Sequence, residues 1–157
     1  FMDRNQLMET FPIWKITDPY IIGQNDNFVS INSCLTVDIT GQVGSEALGF
    51  NQFSGTGGQL DFVRGAGLSK GGRSFIALAS TVTLKNGTTI SKIVTTLEPG
   101  TAVTTPRTDV QYIVTEYGVA DLRDKSIPDR AKALIAISHP DFRDQLQSEA
   151  KKAGVLY

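Results

Sequence analysis

The sequence predicts an α/β fold, an open sheet with helices packed against it. Three observations carry this. Runs of β-branched and apolar residues occupy 28–39, 75–95 and 110–115, the composition of strands. Between them, Leu60, Phe62, Val63 and Ala66 recur at the spacing of a short helix. From Ser126 onward the period changes to helical spacing. Strands first, one helix among them and helices last favour a sheet covered by helices.

Each element follows from local chemistry. Asp3–Glu9 reads as a short opening helix, and Thr17-Asp18-Pro19 as a turn. Phe28–Ile39 is expected to form one strand, ended by Thr40-Gly41. Ser54–Gly58 is a tight glycine cluster at the start of the short helix. Ser69–Arg73 is a turn. Phe75–Leu84 and Thr89–Thr95 pair about Asn86-Gly87, because Asn-Gly tolerates the positive φ of a hairpin turn. Ala102–Thr105 and Val110–Thr115 read as two more strands, punctuated by Pro99-Gly100 and Pro106. Ser126 precedes Ile127-Pro128-Asp129, which gives an N-cap, a first-turn proline and a carboxylate three residues on. Ala131, Leu134, Ile135 and Ile137 form the buried stripe. Ser138-His139-Pro140-Asp141 opens the last helix, with Phe142, Leu146 and Ala150 on one face and Gly154 as its stop.

Composition narrows the function classes. The 157 residues carry a formal net charge of -1 and no basic stripe, which argues against non-specific nucleic-acid binding. No apolar run approaches the roughly 20 residues that cross a bilayer. Cys34 is the only cysteine, so an intramolecular disulfide cannot form and a reducing compartment is favoured. Phe1-Met2-Asp3-Arg4 lacks the cationic-then-apolar pattern of a secretion signal. The expected location is cytoplasmic. The opening on Phe1 hints at one domain of a longer protein.

Among candidate site residues, the loop Ser54-Gly55-Thr56-Gly57-Gly58 is foremost. Successive glycines let backbone N–H groups approach a phosphate or a developing oxyanion, and a helix start adds partial positive charge. The pattern is neither a Walker loop nor a dinucleotide fingerprint, and a plain surface turn stays open. Glu46 and Glu116 could act as nucleophile or base, although a structural carboxylate is the commoner role. His139, the only histidine, is placed to cap a helix. One histidine and one cysteine without a ligand cluster give no metal site. Lys70, Arg73 and Lys85 lie beside turns and could meet phosphates. Arg64 could face the loop or a structural carboxylate. Cys34 reads as buried, with nothing near it in the sequence to lower its pKa.

Four segments then resemble one family. Ile31-Asn32-Ser33 with Val37-Asp38-Ile39-Thr40-Gly41-Gln42-Val43, Ser54–Leu68, Ile113–Arg123 and Ala131–Arg143 are similar to the carboxy-terminal domain of the acetyl-CoA hydrolase/transferase family, which includes the 4-hydroxybutyrate CoA-transferases. With Gln24-Asn25-Asp26-Asn27, the likeness covers nearly the whole chain in one order, and dispersed motifs in register are more specific than any one alone.

The resemblance implies an open α/β domain of the CoA-transferase type, spanning residues 1–157. It implies ping-pong transfer of coenzyme A from a short-chain acyl-CoA to a carboxylic acid such as 4-hydroxybutyrate, acetate or butyrate. A glutamate attacks the thioester and carries coenzyme A as a glutamyl thioester, next to an oxyanion hole. The family's nucleophile lies in an upstream Gly-Ile-His-Ser/Thr-Glu-like segment that this sequence lacks, so Glu46 and Glu116 do not inherit its role. The glutamate and the amino-terminal domain are therefore expected outside this chain. Gly58 matches the glycine whose N–H faces the thioester oxygen and coenzyme A, and Gly57 lies beside it in the same contact. Ser54 matches a CoA-contacting position that is often Asn, so here a hydroxyl stands in for an amide. Leu35 matches a pocket-lining position and Lys85 a basic residue near coenzyme A. The resemblance also implies a homodimer. An acetyl-CoA hydrolase, and a CoA-binding or interaction domain without its own activity, are the alternatives.

Overall fold

A computed structural model describes residues 3–157. In chain order the elements are α1 (Ile13–Ile16), α2 (Pro19–Gly23), β1 (Val29–Ser33), β2 (Thr36–Asp38), β3 (Val43–Gly44), β4 (Ala47–Leu48), β5 (Asn51–Gln52), α3 (Gln59–Leu68), β6 (Arg73–Ala77), β7 (Thr81–Thr83), β8 (Thr89–Ser91), β9 (Ile93–Val94), β10 (Tyr112–Thr115), β11 (Gly118–Asp121), α4 (Ile127–Ala136) and α5 (Pro140–Lys152). The main sheet is open and runs β1-β6-β10-β11. β1, β6 and β10 are parallel, and β11 returns antiparallel. A second sheet, β3-β2-β9, lies beside it, with hairpins β4–β5 and β7–β8. The core joins the sheets to the last two helices through Val37, Ile39, Ile76, Ile93, Ile113, Leu122 and Leu134, each at most 1% exposed.

α3 crosses from β1 to the parallel β6, so it runs antiparallel to both. Its last residues lie at the starting edge of the sheet, where the Ser69 hydroxyl bonds Phe28 N (3.0 Å) and Asn25 O (2.6 Å). Its first residues therefore lie at the finishing edge, beyond Ser33 and Ala77. α2 packs tightly on α3, and Gly65 makes this approach feasible. A Cβ there would stand 2.4 Å from Ile22 Cγ2.

The helical third matches its sequence signals. Ser126 caps α4 by accepting from Asp129 N (3.3 Å). His139 caps α5 through Nδ1, which accepts from Asp141 N (3.3 Å). Gly154 ends α5 at φ 71°. Thr17-Asp18-Pro19 is the N-cap of α2 rather than a free turn, with Tyr20 N donating to Asp18 Oδ1 (2.9 Å).

Five strand and helix expectations need correction. Phe28–Ile39 is two strands, because the chain changes partners midway: Cys34 N bonds Ala77 O (3.3 Å) and Leu35 N bonds Gly44 O (2.9 Å). For the same reason Phe75–Leu84 divides into β6 and β7, and Thr89–Thr95 into β8 and β9. Ala102–Thr105 makes only an isolated bridge, Val43 to Thr105. The threonine hydroxyls cap neighbouring loops instead, Thr104 accepting from Ser45 N (2.9 Å) and Thr101 from Gly49 N (2.8 Å). Asp3–Glu9 forms turns. The Asn5 side chain accepts from Leu7 N (3.1 Å), and Leu7 is 95% exposed, so a short helix there would gain no packing.

Candidate functional site

The glycine-rich loop enters α3 at the finishing edge of the parallel strands, where open α/β sheets present ligand sites. Gly58 is the N-cap of α3, with no side-chain cap hydrogen bond. The first N–H groups of a helix have no partner within it, so this end offers donors outward. Gly57 sits at φ 61°, and a Cβ on either Gly55 or Gly57 would meet no atom within 4 Å. The fold does not crowd these two glycines, and both they and Ser54 are exposed.

The loop is anchored from below. Glu46 O accepts from Phe53 N (2.7 Å) and Ser54 N (3.3 Å). The Glu46 side chain faces the loop at Thr56, whose hydroxyl lies 3.4 Å from Oε1. Glu46 Oε2 is buried and has no hydrogen-bond partner among the described residues. Gln59, the first residue of α3, donates through Nε2 to Ser45 Oγ (2.9 Å) and Thr105 Oγ1 (3.0 Å). These bonds fix the helix start against the second sheet.

Leu35 lines a mostly apolar cavity of about 350 Å3, shared with Thr36, Leu48, Val82, Ile90 and Lys92. Leu48 belongs to the hairpin that leads into the glycine loop. Val82 and Ile90 belong to the β7–β8 hairpin, and Lys85 stands exposed at its tip. Leu35 is thus in a cavity wall, whereas Ser54, Gly57 and Gly58 form the open loop and Lys85 an exposed tip. The cation that lines the cavity is Lys92, which sequence reasoning missed. Its signal was a lysine breaking the apolar run Ile90-Ser91-Lys92-Ile93. Lys92 Nζ also donates to Cys34 O (3.4 Å).

The other candidates have structural partners. Glu116 accepts from Ser80 N (2.9 Å to Oε2) and from Ser80 Oγ (2.5 Å to Oε1). The Ser80 hydroxyl is the main cause holding its pKa below the ordinary carboxylate value. Arg64 pairs with Asp109 through Nε (3.2 Å) and Nη2 (3.3 Å), not with the loop. Burial pushes the Cys34 thiol up to about 12, and Lys92 draws it partly back. A charge near Cys34 therefore exists, contrary to the sequence reading, but desolvation outweighs it. Lys70 and Arg73 are exposed. Among the described residues no group of three or more His, Cys, Asp or Glu could hold a metal ion, and no helix is long and apolar enough to cross a membrane.

Known proteins share this sequence and fold. The 4-hydroxybutyrate coenzyme A transferase of Clostridium kluyveri is 51% identical over 152 residues, covering 97% of this chain and 35% of that protein. The succinyl-CoA:cyclohexane-1-carboxylate CoA transferase of Geobacter metallireducens is 53% identical over 152 residues, covering 97% and 34%. The crystal structure of RipA from Yersinia pestis superposes with a TM-score of 0.79 at 51% identity, covering 89% of this chain and 31% of that one. The chain thus spans about a third of the length of the relatives it matches. Residues 1–150 match the family model of the acetyl-CoA hydrolase/transferase C-terminal domain, and the chain belongs to that family.

Proposed function

We propose that this chain is the carboxy-terminal domain, over residues 1–157, of a cytoplasmic CoA-transferase whose amino-terminal domain lies outside it. The whole protein moves coenzyme A from a short-chain acyl-CoA to a carboxylic acid of the 4-hydroxybutyrate, acetate or butyrate type. The observation that carries this reading is the start of α3 at the strand ends, with no side-chain cap, where Gly57 is unhindered by the fold and Gly58 is packed against Phe62 and Thr17, 3.2 Å from where a Cβ would stand.

In this reading a glutamate of the missing part attacks the thioester carbonyl. The carbonyl oxygen takes up negative charge as the tetrahedral adduct forms, and the Gly58 N–H stabilises it. Collapse expels the coenzyme A thiolate and leaves an acyl-glutamyl anhydride. The thiolate then attacks the glutamyl carbonyl, which releases the donor acid and forms the glutamyl thioester. The acceptor acid reverses these steps. Gly57 and Ser54 border coenzyme A at the loop. Leu35 supplies apolar wall for the pantetheine, and Lys85 lies near the coenzyme A phosphates. The working form is a homodimer. Two relatives of about equal identity bear the names of acids as different as 4-hydroxybutyrate and cyclohexane-1-carboxylate, so the acid-selecting walls lie largely in the other domain.

The test is exchange of labelled acetate into acetyl-CoA by the intact protein. Exchange without net loss of thioester is expected. Steady hydrolysis with no exchange would replace the transferase with a hydrolase.

A further inference from the structure

A second cavity, of about 580 Å3, lies away from the glycine loop. Ser74 and Gln111 line it, and they stand at the starting ends of β6 and β10. It also reaches Leu68, the last residue of α3. It runs along the second half of α3 from Val63 to Leu68, five to ten helical residues and about 8–15 Å of rise from Gly58.

Arg130 lines this cavity and is only 8% exposed. Its Nη1 donates to Thr40 O (3.2 Å). Among the described residues no carboxylate oxygen lies within 4.0 Å of its guanidinium. Its charged neighbour is instead Arg107, and burial followed by that like charge lowers its pKa from the ordinary value. Desolvating an ion costs several kcal/mol, and buried charges are normally paired. A guanidinium carries five N–H donors in a fork that fits carboxylate and phosphate, and Thr40 takes one. On the same cavity wall, Arg64 is engaged by Asp109, while Arg123 is exposed at the rim beside the exposed Asp124. The hydroxyls of Ser74 and Thr108 add polar groups. The volume lies within the roughly 300–1,000 Å3 of small-molecule sites.

We propose that this cavity is a second ligand site, taking a small molecule through a phosphate or carboxylate group that pairs with Arg130, while Arg123 closes over it from the rim. The ligand supplies the counter-charge that Arg130 lacks. The site is separate from the glycine loop and does not depend on the transferase reading.

The intact protein is titrated calorimetrically with inorganic phosphate and, separately, with acetate, at ionic strength held constant by chloride. Saturable binding of at least one anion is expected. A response to phosphate alone points to a phosphate ester, and a response to acetate that weakens in Arg130→Gln and Arg123→Ser points to a carboxylate, whereas acetate binding unchanged in both belongs to the transferase site and counts against a carboxylate here. The dissociation constant should rise about tenfold in Arg130→Gln and about threefold in Arg123→Ser, as loss of charge-assisted bonds implies. Saturating coenzyme A should leave it unchanged. If Arg130→Gln fails to fold, the exposed Arg123→Ser decides. No saturable binding, as when a carboxylate from elsewhere in the protein already fills the site, overturns the proposal. So does unchanged affinity in Arg123→Ser, or displacement of phosphate by coenzyme A.

Discussion

Replacing Gly57 by valine separates the needs of the fold from those of the ligand. Gly57 lies at φ 61°, a region that costs an ordinary L-residue about 1–2 kcal/mol and a β-branched one more. Valine therefore drives the residue out of this conformation and turns the peptide plane between 57 and 58, whose N–H belongs to Gly58. The fold loses little, because the loop is exposed and a Cβ at 57 meets nothing within 4 Å. A loss of about 1–2 kcal/mol lowers the melting temperature by roughly 2–8 °C for a domain of this size. Catalysis loses much more. Misdirecting one oxyanion donor costs about 100- to 1,000-fold in kcat, and the loss falls on kcat and kcat/KM together. The assay is steady-state acyl transfer by the intact variant, alongside its thermal melt. A folded variant with kcat within about threefold of wild type would refute the role given to this loop.

Three further outcomes follow from the same geometry. Gly65→Ala should destabilise by about 1–3 kcal/mol, because its Cβ would lie 2.4 Å from Ile22 Cγ2 and α2 must move off α3; denaturant melts check this. Cys34 should resist alkylation by iodoacetamide at pH 8 in the folded protein, since its thiol is held near pKa 12, and react on unfolding. Glu116 has a pKa below its ordinary 4.5 in the folded protein, so its contribution is present at neutral pH and is lost as the pH falls through that lowered value. Melting curves of wild type and Glu116→Gln should differ slightly at pH 7 and converge in acid; a gap that persists in acid contradicts the assignment.

Much of the fold is legible because its signals are local. Ser126 and His139 open helices by accepting backbone N–H groups through their own side chains, Gly154 ends one at positive φ, and Asn86-Gly87 marks a hairpin without outside help. The misread strands fail for non-local reasons. Nothing within Phe28–Ile39 tells that Cys34 bonds β6 while Leu35 bonds Gly44. Nor does the sequence around Ala102–Thr105 show that the hydroxyls of Thr104 and the preceding Thr101 serve Ser45 and Gly49. The loop Ser54–Gly58 is visible as glycine spacing, but its position at the strand ends depends on how α3 crosses the sheet. Arg130 escapes sequence reading because burial, not residue type, makes it unusual. Gln59 reads as an ordinary helix residue until Ser45 and Thr105 converge on it.

The central claim is that this domain supplies the oxyanion-binding half of an acyl-CoA site. A crystal structure of the intact protein with a non-hydrolysable acyl-CoA analogue tests it most directly. The account predicts the Gly58 nitrogen within hydrogen-bonding distance, about 2.7–3.1 Å, of the oxygen that replaces the thioester carbonyl, with the pantetheine passing Leu35. An analogue bound with its carbonyl remote from the start of α3 would contradict it.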